Sequence, residues 1–401
     1  MMDYSAEIAK IEKSKTIAVS SKANRLIEKG ENVISFGAGE PDFPTPEFIK
    51  KAAVEAMDKG YTGYTSVSGL PELKESVVKY FASNYSYQYS TDEVIVCNGG
   101  KQVLYNALLA ITEADDEILI PKPYWVSYPE IVKLAGGKPV LIETKAENKF
   151  KLRAEELKNS ITDNTKAIII NSPSNPDGHF YSESEIRELI EVIIDQDIFI
   201  ISDEIYDKLL YDGKKFSSMI EQFPELKDKI LIVNGMSKTY SMTGWRVGFG
   251  FGSTKWIDRM AKIQSHTTSN VNTIAQYASA KALANHELED IITERRDIYQ
   301  ERRDLTAELL SDIKGLEAIK PAGSFYFFID ISQLISQKIH GKEVKGSLSF
   351  SDLLLEEHKV AVVPGIAFGM DKYIRISFAL SEDKIREGIS RIADFVDELE
   401  V

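Results

Sequence analysis

Ile198-Phe199-Ile200-Ile201-Ser202-Asp203-Glu204-Ile205-Tyr206 decides the fold: a short apolar run ends abruptly in acidic and phenolic side chains. Three further runs, at 93–96, 167–170 and 230–233, share its form. They are short, dense in Ile and Val and free of polar alternation, as strands buried on both faces of a parallel sheet are. Longer stretches with helical spacing, such as 183–194, lie between them, so the order is strand, helix, strand with right-handed crossovers. The expected fold class is α/β, a mostly parallel central sheet flanked by helices. Ligands of such sheets collect beyond the carboxyl ends of the strands. Four polar segments fall at that edge: Asn98-Gly99-Gly100-Lys101, Asn175-Pro176, Asp203 to Tyr206, and Ser237-Lys238 with Arg246.

At 401 residues the chain exceeds one ordinary core, and 43% hydrophobic residues is enough to fill two. The larger domain is expected over 48–290, ending where 286–313 begins a long, charged helical pattern that bridges to the rest. Strands at 325–329, 360–363 and 373–378 and an amphipathic helix at 382–399 make a smaller α+β domain of 291–401, joined by residues 1–47. Residues 332–347 are polar and irregular and are expected as a surface loop.

No apolar stretch reaches membrane-spanning length, and Met1-Met2-Asp3-Tyr4 lacks the blocks of a secretory signal, so a soluble cytoplasmic protein is expected. A net charge of −14 argues against nucleic acid or an anionic membrane as partner, while a local cluster of cations still admits a small anionic substrate. The single cysteine, Cys97, excludes internal disulfides and cysteine-cluster metal sites; no metal is expected, and Cys97 is a small core hydrophobe at a strand end.

Lys238 follows the run 230–233, and Arg246 comes eight residues later. An amine held at a sheet edge beside a bidentate guanidinium suits pyridoxal phosphate, which needs a lysine for its aldehyde and a partner for its phosphate. Ser-Lys alone is a common surface dipeptide, so the weight rests on its neighbours. Asp203 ends a buried run, where an unpaired carboxylate is expensive. It either meets the protonated pyridine nitrogen of such a cofactor or caps the next helix. Tyr206 and Asn175 are donors to the cofactor's phenolate oxygen, or else a core tyrosine and a turn asparagine. Asn98-Gly99-Gly100-Lys101, between a strand and the helical run 102–110, offers amides at a helix N-terminus, a seat for phosphate.

Nucleotide loops are excluded. A Walker loop would need glycine at Ile95 and Ser or Thr at Gln102. Gly248-Phe249-Gly250-Phe251-Gly252 has the wrong spacing for a dinucleotide fingerprint and is expected as a strand made for close packing. Trp125 is a ring-stacking residue or core. Arg375, in Tyr373-Ile374-Arg375-Ile376-Ser377, is a solvated edge charge or a fork waiting for a carboxylate.

Together, Gly39-Glu40-Pro41-Asp42-Phe43, Tyr64 with Gly69-Leu70-Pro71-Glu72-Leu73, Gly99-Gly100-Lys101-Gln102, Pro123-Tyr124-Trp125-Val126-Ser127-Tyr128, Asn171-Ser172-Pro173 with Asn175-Pro176, Ser202-Asp203-Glu204-Ile205-Tyr206 and Ser237-Lys238-Thr239-Tyr240-Ser241-Met242-Thr243-Gly244-Trp245-Arg246 resemble class I aminotransferases of pyridoxal fold type I, most nearly the bacterial aspartate aminotransferase subgroup Ib. The resemblance implies that Lys238 forms the imine with pyridoxal 5'-phosphate, Asp203 partners the pyridine nitrogen, Asn175 and Tyr206 the phenolate, and Trp125 stacks on the ring. It implies that Gly99, Gly100, Ser237 and Arg246 hold the phosphate, with Tyr64 reaching the phosphate of a neighbouring subunit, hence a homodimer with shared sites. Arg375 and Gly39, with Trp125 and Asn175 beside them, would take the substrate's α-carboxylate end and Lys101 a distal carboxylate. The implied reaction is ping-pong transfer of an amino group from an amino acid, aspartate or glutamate, to a 2-oxo acid.

The chain departs from the family at Ser174-Asn175-Pro176-Asp177-Gly178-His179, where Asn-Asn-Pro-Thr-Gly is usual; His179 is expected as structural, because Lys238 already moves the proton. Competing readings are another pyridoxal reaction, such as a carbon–sulfur lyase, an aminotransferase of aromatic or other neutral amino acids, and a regulator without turnover. The last would require a DNA-binding module, and what precedes Ser14 is too short for one.

Overall fold

The computed structural model describes residues 5–9, 11–12 and 15–400. The readings of Met1-Met2-Asp3-Tyr4 and of Ser14 lie outside them. A seven-stranded sheet runs in the order Val94–Cys97, Gly248–Phe251, Ile230–Gly235, Phe199–Asp203, Thr165–Asn171, Glu117–Pro121, Lys138–Ile142. Every pairing is parallel except those of Gly248–Phe251, which runs antiparallel to both neighbours.

The lack of polar alternation has the expected cause. Successive residues of a strand point to opposite faces, and both faces here are covered. Ile168 and Ile170 pack with Ile200, Ile230 and Ile232 in one apolar cluster, under helices Glu47–Asp58, Pro71–Asn84, Glu183–Ile193 and Thr273–Leu283. Ala167 and Ile169 pack with Ile201, Leu231 and Val233 in another, under Gly100–Ile111 and Thr254–Thr267. Each fully buried Ile, Leu or Val contributes about 1.5–3 kcal/mol, so this sheet is the rigid floor on which the site stands. No helix among the described residues is long and apolar enough to cross a membrane.

Helix Glu287–Ser311 leads to a second sheet, four strands in the order Val363–Pro364, Tyr373–Ser377, Tyr326–Asp330, Glu317–Ala318, all antiparallel. Its core holds Phe325, Phe327, Ile374, Ile376 and, from far earlier in the chain, Ile34 and Phe36. Ile34–Ser35 pairs parallel with Val360–Ala361, and Phe36 O then accepts from Ser377 N at 2.9 Å. That threading lays residues 37–40 beside Arg375.

Two expectations are corrected. The run 360–363 is not one strand: Val360–Ala361 serves Ile34–Ser35, and Val363–Pro364 serves Tyr373–Ser377, because the chain changes partners at Val362. Residues 332–347 are not an irregular surface loop. They hold a 3-10 turn, Ser332–Leu334, and a small hairpin, Lys338–Ile339 with Lys342–Glu343, that bury Leu334, Ile339 and Val344 in the second core. Four apolar side chains, Leu334, Ile335, Ile339 and Val344, scattered among polar ones carry no strand or helix period, which is why the segment looked loop-like.

Candidate active site

Beyond the carboxyl ends of Phe199–Asp203 and Ile230–Gly235 opens a cavity of about 590 Å³. It gathers Gly39, Gly100, Lys101, Trp125, Asn175, Asp203, Tyr206, Ser237, Lys238, Arg246 and Arg375, residues drawn from the whole length of the chain.

Lys238 and Arg246 share one connection. Met236 N donates to Val247 O at 3.0 Å, which closes its mouth, and Met242 N donates to Ser237 O at 3.2 Å within it. Arg246 sits in the left-handed region, φ +58°, and its guanidinium donates to Thr243 O at 2.7 Å and Asn98 O at 3.3 Å. It lies against Gly99, itself at φ +80°; a Cβ there would come 2.9 Å from the Arg246 Cζ. Gly248, opening the reversed strand, is equally constrained, since its Cβ would stand 2.5 Å from Gly100 N. Gly100 begins the helix Gly100–Ile111, so its first amides face the cavity next to a fixed guanidinium. The pairing is a ready cradle for a phosphate dianion.

The Lys238 amine donates to Gly39 O. Burial, with Arg375 and Arg246 nearby, brings its pKa down to about 8 despite the opposing pull of Glu40 and Asp203. Much more of it is therefore free base near neutrality than of an ordinary lysine. Asp203 is buried; Tyr128 Oη donates to its Oδ2 at 2.6 Å and Ile205 N to its Oδ1 at 3.3 Å. Burial raises this carboxyl to about 6, the two donors holding it down. It caps no helix, for residues 205–208 form a turn. An acid so placed, with only a phenol and an amide as hydrogen-bond donors among the described residues, suits a cationic ring nitrogen.

Arg375 is 3% exposed. Its strand lies between Tyr326–Asp330 and Val363–Pro364, which disposes of the edge-charge reading. The guanidinium sits 4.3 Å from the Tyr326 ring and 5.1 Å from the Phe368 ring, and donates to Asn175 Oδ1 and Gly37 O, both at 3.0 Å. Nε has no partner, and no carboxylate pairs with it among the described residues. A buried cation served only by neutral acceptors is expensive unless an anion completes it. Lys101 supplies a second cation to the cavity, its ammonium 4.9 Å over the Trp125 ring, with burial first and then Arg246 lowering its pKa.

Tyr206 Oη lies 3.0 Å from Tyr326 Oη, both rings buried. Tyr64 does not line the cavity; it is 94% exposed. Sequence reasoning missed Tyr128, Tyr326 and Glu40, and also Ser21 and Asn24, which the helix Lys15–Glu28 brings to the cavity. Glu40, which accepts from Thr243 Oγ1 at 2.8 Å, stood inside a quoted motif and was within reach. Tyr326, in a strand of aromatic and aliphatic residues, carried no signal to separate it from core.

The donor set fits a group bearing an aldehyde, a phosphate and a ring nitrogen: a depressed amine, a glycine cradle closed by arginine, and a buried acid. The model of the aminotransferase class I and II family matches residues 31–392. The aspartate aminotransferase of Bacillus subtilis is 44% identical over 99% of both chains, and a probable aspartate/prephenate aminotransferase of Aquifex aeolicus is 41% identical over 98% of both. Among solved structures, the aspartate aminotransferase of Rhizobium meliloti superposes with a TM-score of 0.95 at 40% identity, covering 100% of both chains. That of Thermus thermophilus with maleate gives 0.92 at 38% identity, covering 98% of this chain and 100% of the other. The chain belongs to the class I and II aminotransferases and uses their cofactor, pyridoxal 5'-phosphate.

Proposed function

We propose that this aminotransferase takes the amino group of L-aspartate or L-glutamate and delivers it to 2-oxoglutarate or oxaloacetate, and that Lys238 is its catalytic residue. The observation that carries the substrate class is the pair of cations in one cavity: Arg375, buried without an anion, and Lys101 over Trp125. A dicarboxylate satisfies both, Arg375 and the Gly39 backbone taking the end common to all amino acids and Lys101 the distal end.

Arg246, Ser237 and the Gly99-Gly100 backbone would hold the cofactor's phosphate, Asp203 its ring nitrogen, Asn175 and Tyr206 its phenolate oxygen, and Trp125 its ring. When bound, pyridoxal phosphate supplies an aldehyde that exchanges with the substrate amine and a ring that draws electrons from the bond being broken. The chain's own work is then electrostatic and positional. Asp203 keeps the ring nitrogen charged. Arg375 with Asn175 orients the substrate, and Lys238 Nζ, poised near 8, takes a proton and returns it.

The test is spectroscopic. Adding L-aspartate to the loaded protein should convert the cofactor to its amine form, with 2-oxoglutarate or prephenate, the acceptor named for the Aquifex relative, restoring it. Release of pyruvate, ammonia and a thiol from an amino acid with a Cβ–S bond, such as cystathionine, without that conversion would instead establish a carbon–sulfur lyase. Lys101→Ala should lower kcat/KM for aspartate and glutamate by about tenfold or more and spare alanine; an equal loss for all substrates would remove Lys101 from specificity.

The same reading makes the protein a cytoplasmic homodimer with shared sites. Tyr64, 94% exposed, and its exposed apolar neighbours Val54, Met57 and Tyr61 support a contact with a second copy, where Tyr64 would reach the partner's phosphate. A hybrid dimer of one Tyr64→Phe chain and one Lys238→Ala chain would hold one site free of both lesions, so activity per Lys238-bearing chain should exceed that of the Tyr64→Phe protein alone; no gain on mixing would count against sharing. We assign residues 48–290 to the cofactor-binding domain and 1–47 with 291–401 to the smaller one, supported by Ile34 and Phe36 packing among Phe325 and Phe327.

A further inference from the structure

One buried polar cluster has no part in the chemistry above: Ser174, Asp177 and His179. Ser174 Oγ donates to Asp177 Oδ1 at 2.5 Å, and His179 Nδ1 lies 2.5 Å from Asp177 Oδ2. The side chains of Asp177 and His179 are 4% and 8% exposed, and His179 Nε2 is buried without a hydrogen-bond partner among the described residues. His179 does not line the cavity that holds Lys238 and Arg375, so it touches no substrate there.

The turn that carries the cluster is joined to the site at both ends. Asn175, inside it, gives Arg375 one of its two acceptors. Gly178, at φ +67°, offers its carbonyl to Ala322 N and Gly323 N, both at 3.0 Å, on the segment that runs into Tyr326. A Cβ on Gly178 would stand 2.5 Å from Gly323 O and from the Pro321 Cβ, so the turn is wedged there. Arg375 and the ring stacked on it thus both hang on residues 174–179. Within the turn, Ser174 N donates to His179 O at 2.9 Å and Gly178 N to Ser174 O at 3.1 Å.

We propose that Asp177 and His179 are positioning residues: hydrogen-bonded to each other and to Ser174, they hold the turn in the geometry that presents Asn175 to Arg375 and Gly178 to the Tyr326 segment, and so set carboxylate affinity without touching substrate. A buried carboxylate whose side-chain partners are one hydroxyl and one imidazole is costly to leave half-paired, so removing the imidazole displaces the turn rather than merely emptying a site. Threonine, usual at this position in the family, can meet Ser174 but cannot pair with an imidazole as a carboxylate does. The inference rests on Arg375 as the carboxylate-binding residue.

The test uses the cofactor-loaded enzyme and maleate, a dicarboxylate with no amino or oxo group to exchange. His179→Leu and Asp177→Thr should each weaken maleate binding, measured by calorimetry, and raise KM for aspartate and 2-oxoglutarate by about tenfold, the size of one mispositioned charge-assisted hydrogen bond, with kcat changed by less than about threefold and cofactor absorbance retained. The double variant should lose no more than either single one, as for residues acting as a unit. His179→Gln, which keeps an N–H for Asp177, should recover most of the affinity and serves if the leucine variant does not fold. Unchanged maleate affinity in both single variants, additive losses, or a fall in kcat with KM unmoved would overturn the proposal. Arg375→Leu, run in parallel, separates the two levels: if it binds maleate like the unaltered enzyme, the reading of Arg375 fails, whereas loss there without loss at His179 refutes the positioning role alone.

Discussion

Replacing Lys238 by methionine removes a charge that the fold resists, and the size of that resistance follows from the structure. Burial and the neighbouring arginines bring the amine from its ordinary 10.5 to about 8 in the cofactor-free protein. Between those two values the unfolded chain holds a proton that the folded chain has lost, so folding stability rises with pH across that window. Below pH 8 the unaltered protein carries the full penalty of burying an ammonium. The shift corresponds to about 3 kcal/mol, reduced where cavity water screens the amine. Lys238→Met should therefore be the more stable protein at pH 7 by about 2–3 kcal/mol, with the advantage shrinking steadily between pH 8 and 10.5. Denaturant unfolding of both cofactor-free proteins at intervals from pH 8 to 10.5 reads the difference, in which groups not coupled to Lys238 cancel and Asp203, which the Lys238 charge holds down, titrates lower. Parallel stability curves would mean that the amine titrates normally, and the free-base argument for its chemistry would collapse with them.

Asp203→Asn should keep the cofactor but slow transfer by about a hundredfold or more, because the amide cannot hold the ring nitrogen charged; near-normal turnover would reduce Asp203 to a turn residue. Tyr128→Phe removes the donor that holds the Asp203 carboxyl down, so the acidic limb of kcat/KM should move to higher pH, and an unmoved limb would mean that this contact does not tune the acid. Gly99→Ala strains a backbone at φ +80° and also sets a Cβ 2.9 Å from the Arg246 Cζ, and should weaken cofactor retention about tenfold or more in a gel-filtration and absorbance assay. Full retention there would show that Arg246 has slack to move.

The sheet was legible because Ile and Val without polar alternation leave few other structures, and the polar segments after Cys97, Asn171, Asp203 and Gly235 then had to meet at one edge. What closes over that edge was not. Tyr128 stood inside a quoted motif, yet its bond to Asp203 spans 75 positions, and Tyr326 is one aromatic among several in its strand, so nothing local assigned either its place in the site. The same holds for 360–363, where one apolar run serves two partners; a run shows that it is buried but not beside what. Arg375 was ambiguous until the strand Val363–Pro364 placed it in the interior of its sheet. Asp177 and His179 stood out as departures from the family pattern, yet their link to Arg375 passes through backbone contacts that only the folded turn reveals.

The reversed strand Gly248–Phe251 has a consequence for how this gene can change. A parallel neighbour would have started at the far edge of the sheet and returned through a helix; the hairpin turns back at once, so that Lys238 and Arg246 lie on one short connection stapled at its mouth by Met236 and Val247. The spacing between amine and guanidinium is therefore fixed by chain length, like the jaws of a caliper. Insertions or a new pair of termini are tolerable in the exposed hairpin at 340–341, where nothing catalytic depends on length. Between Gly235 and Gly248 a single added residue would open the jaws, whatever the rest of the cavity is shaped to bind.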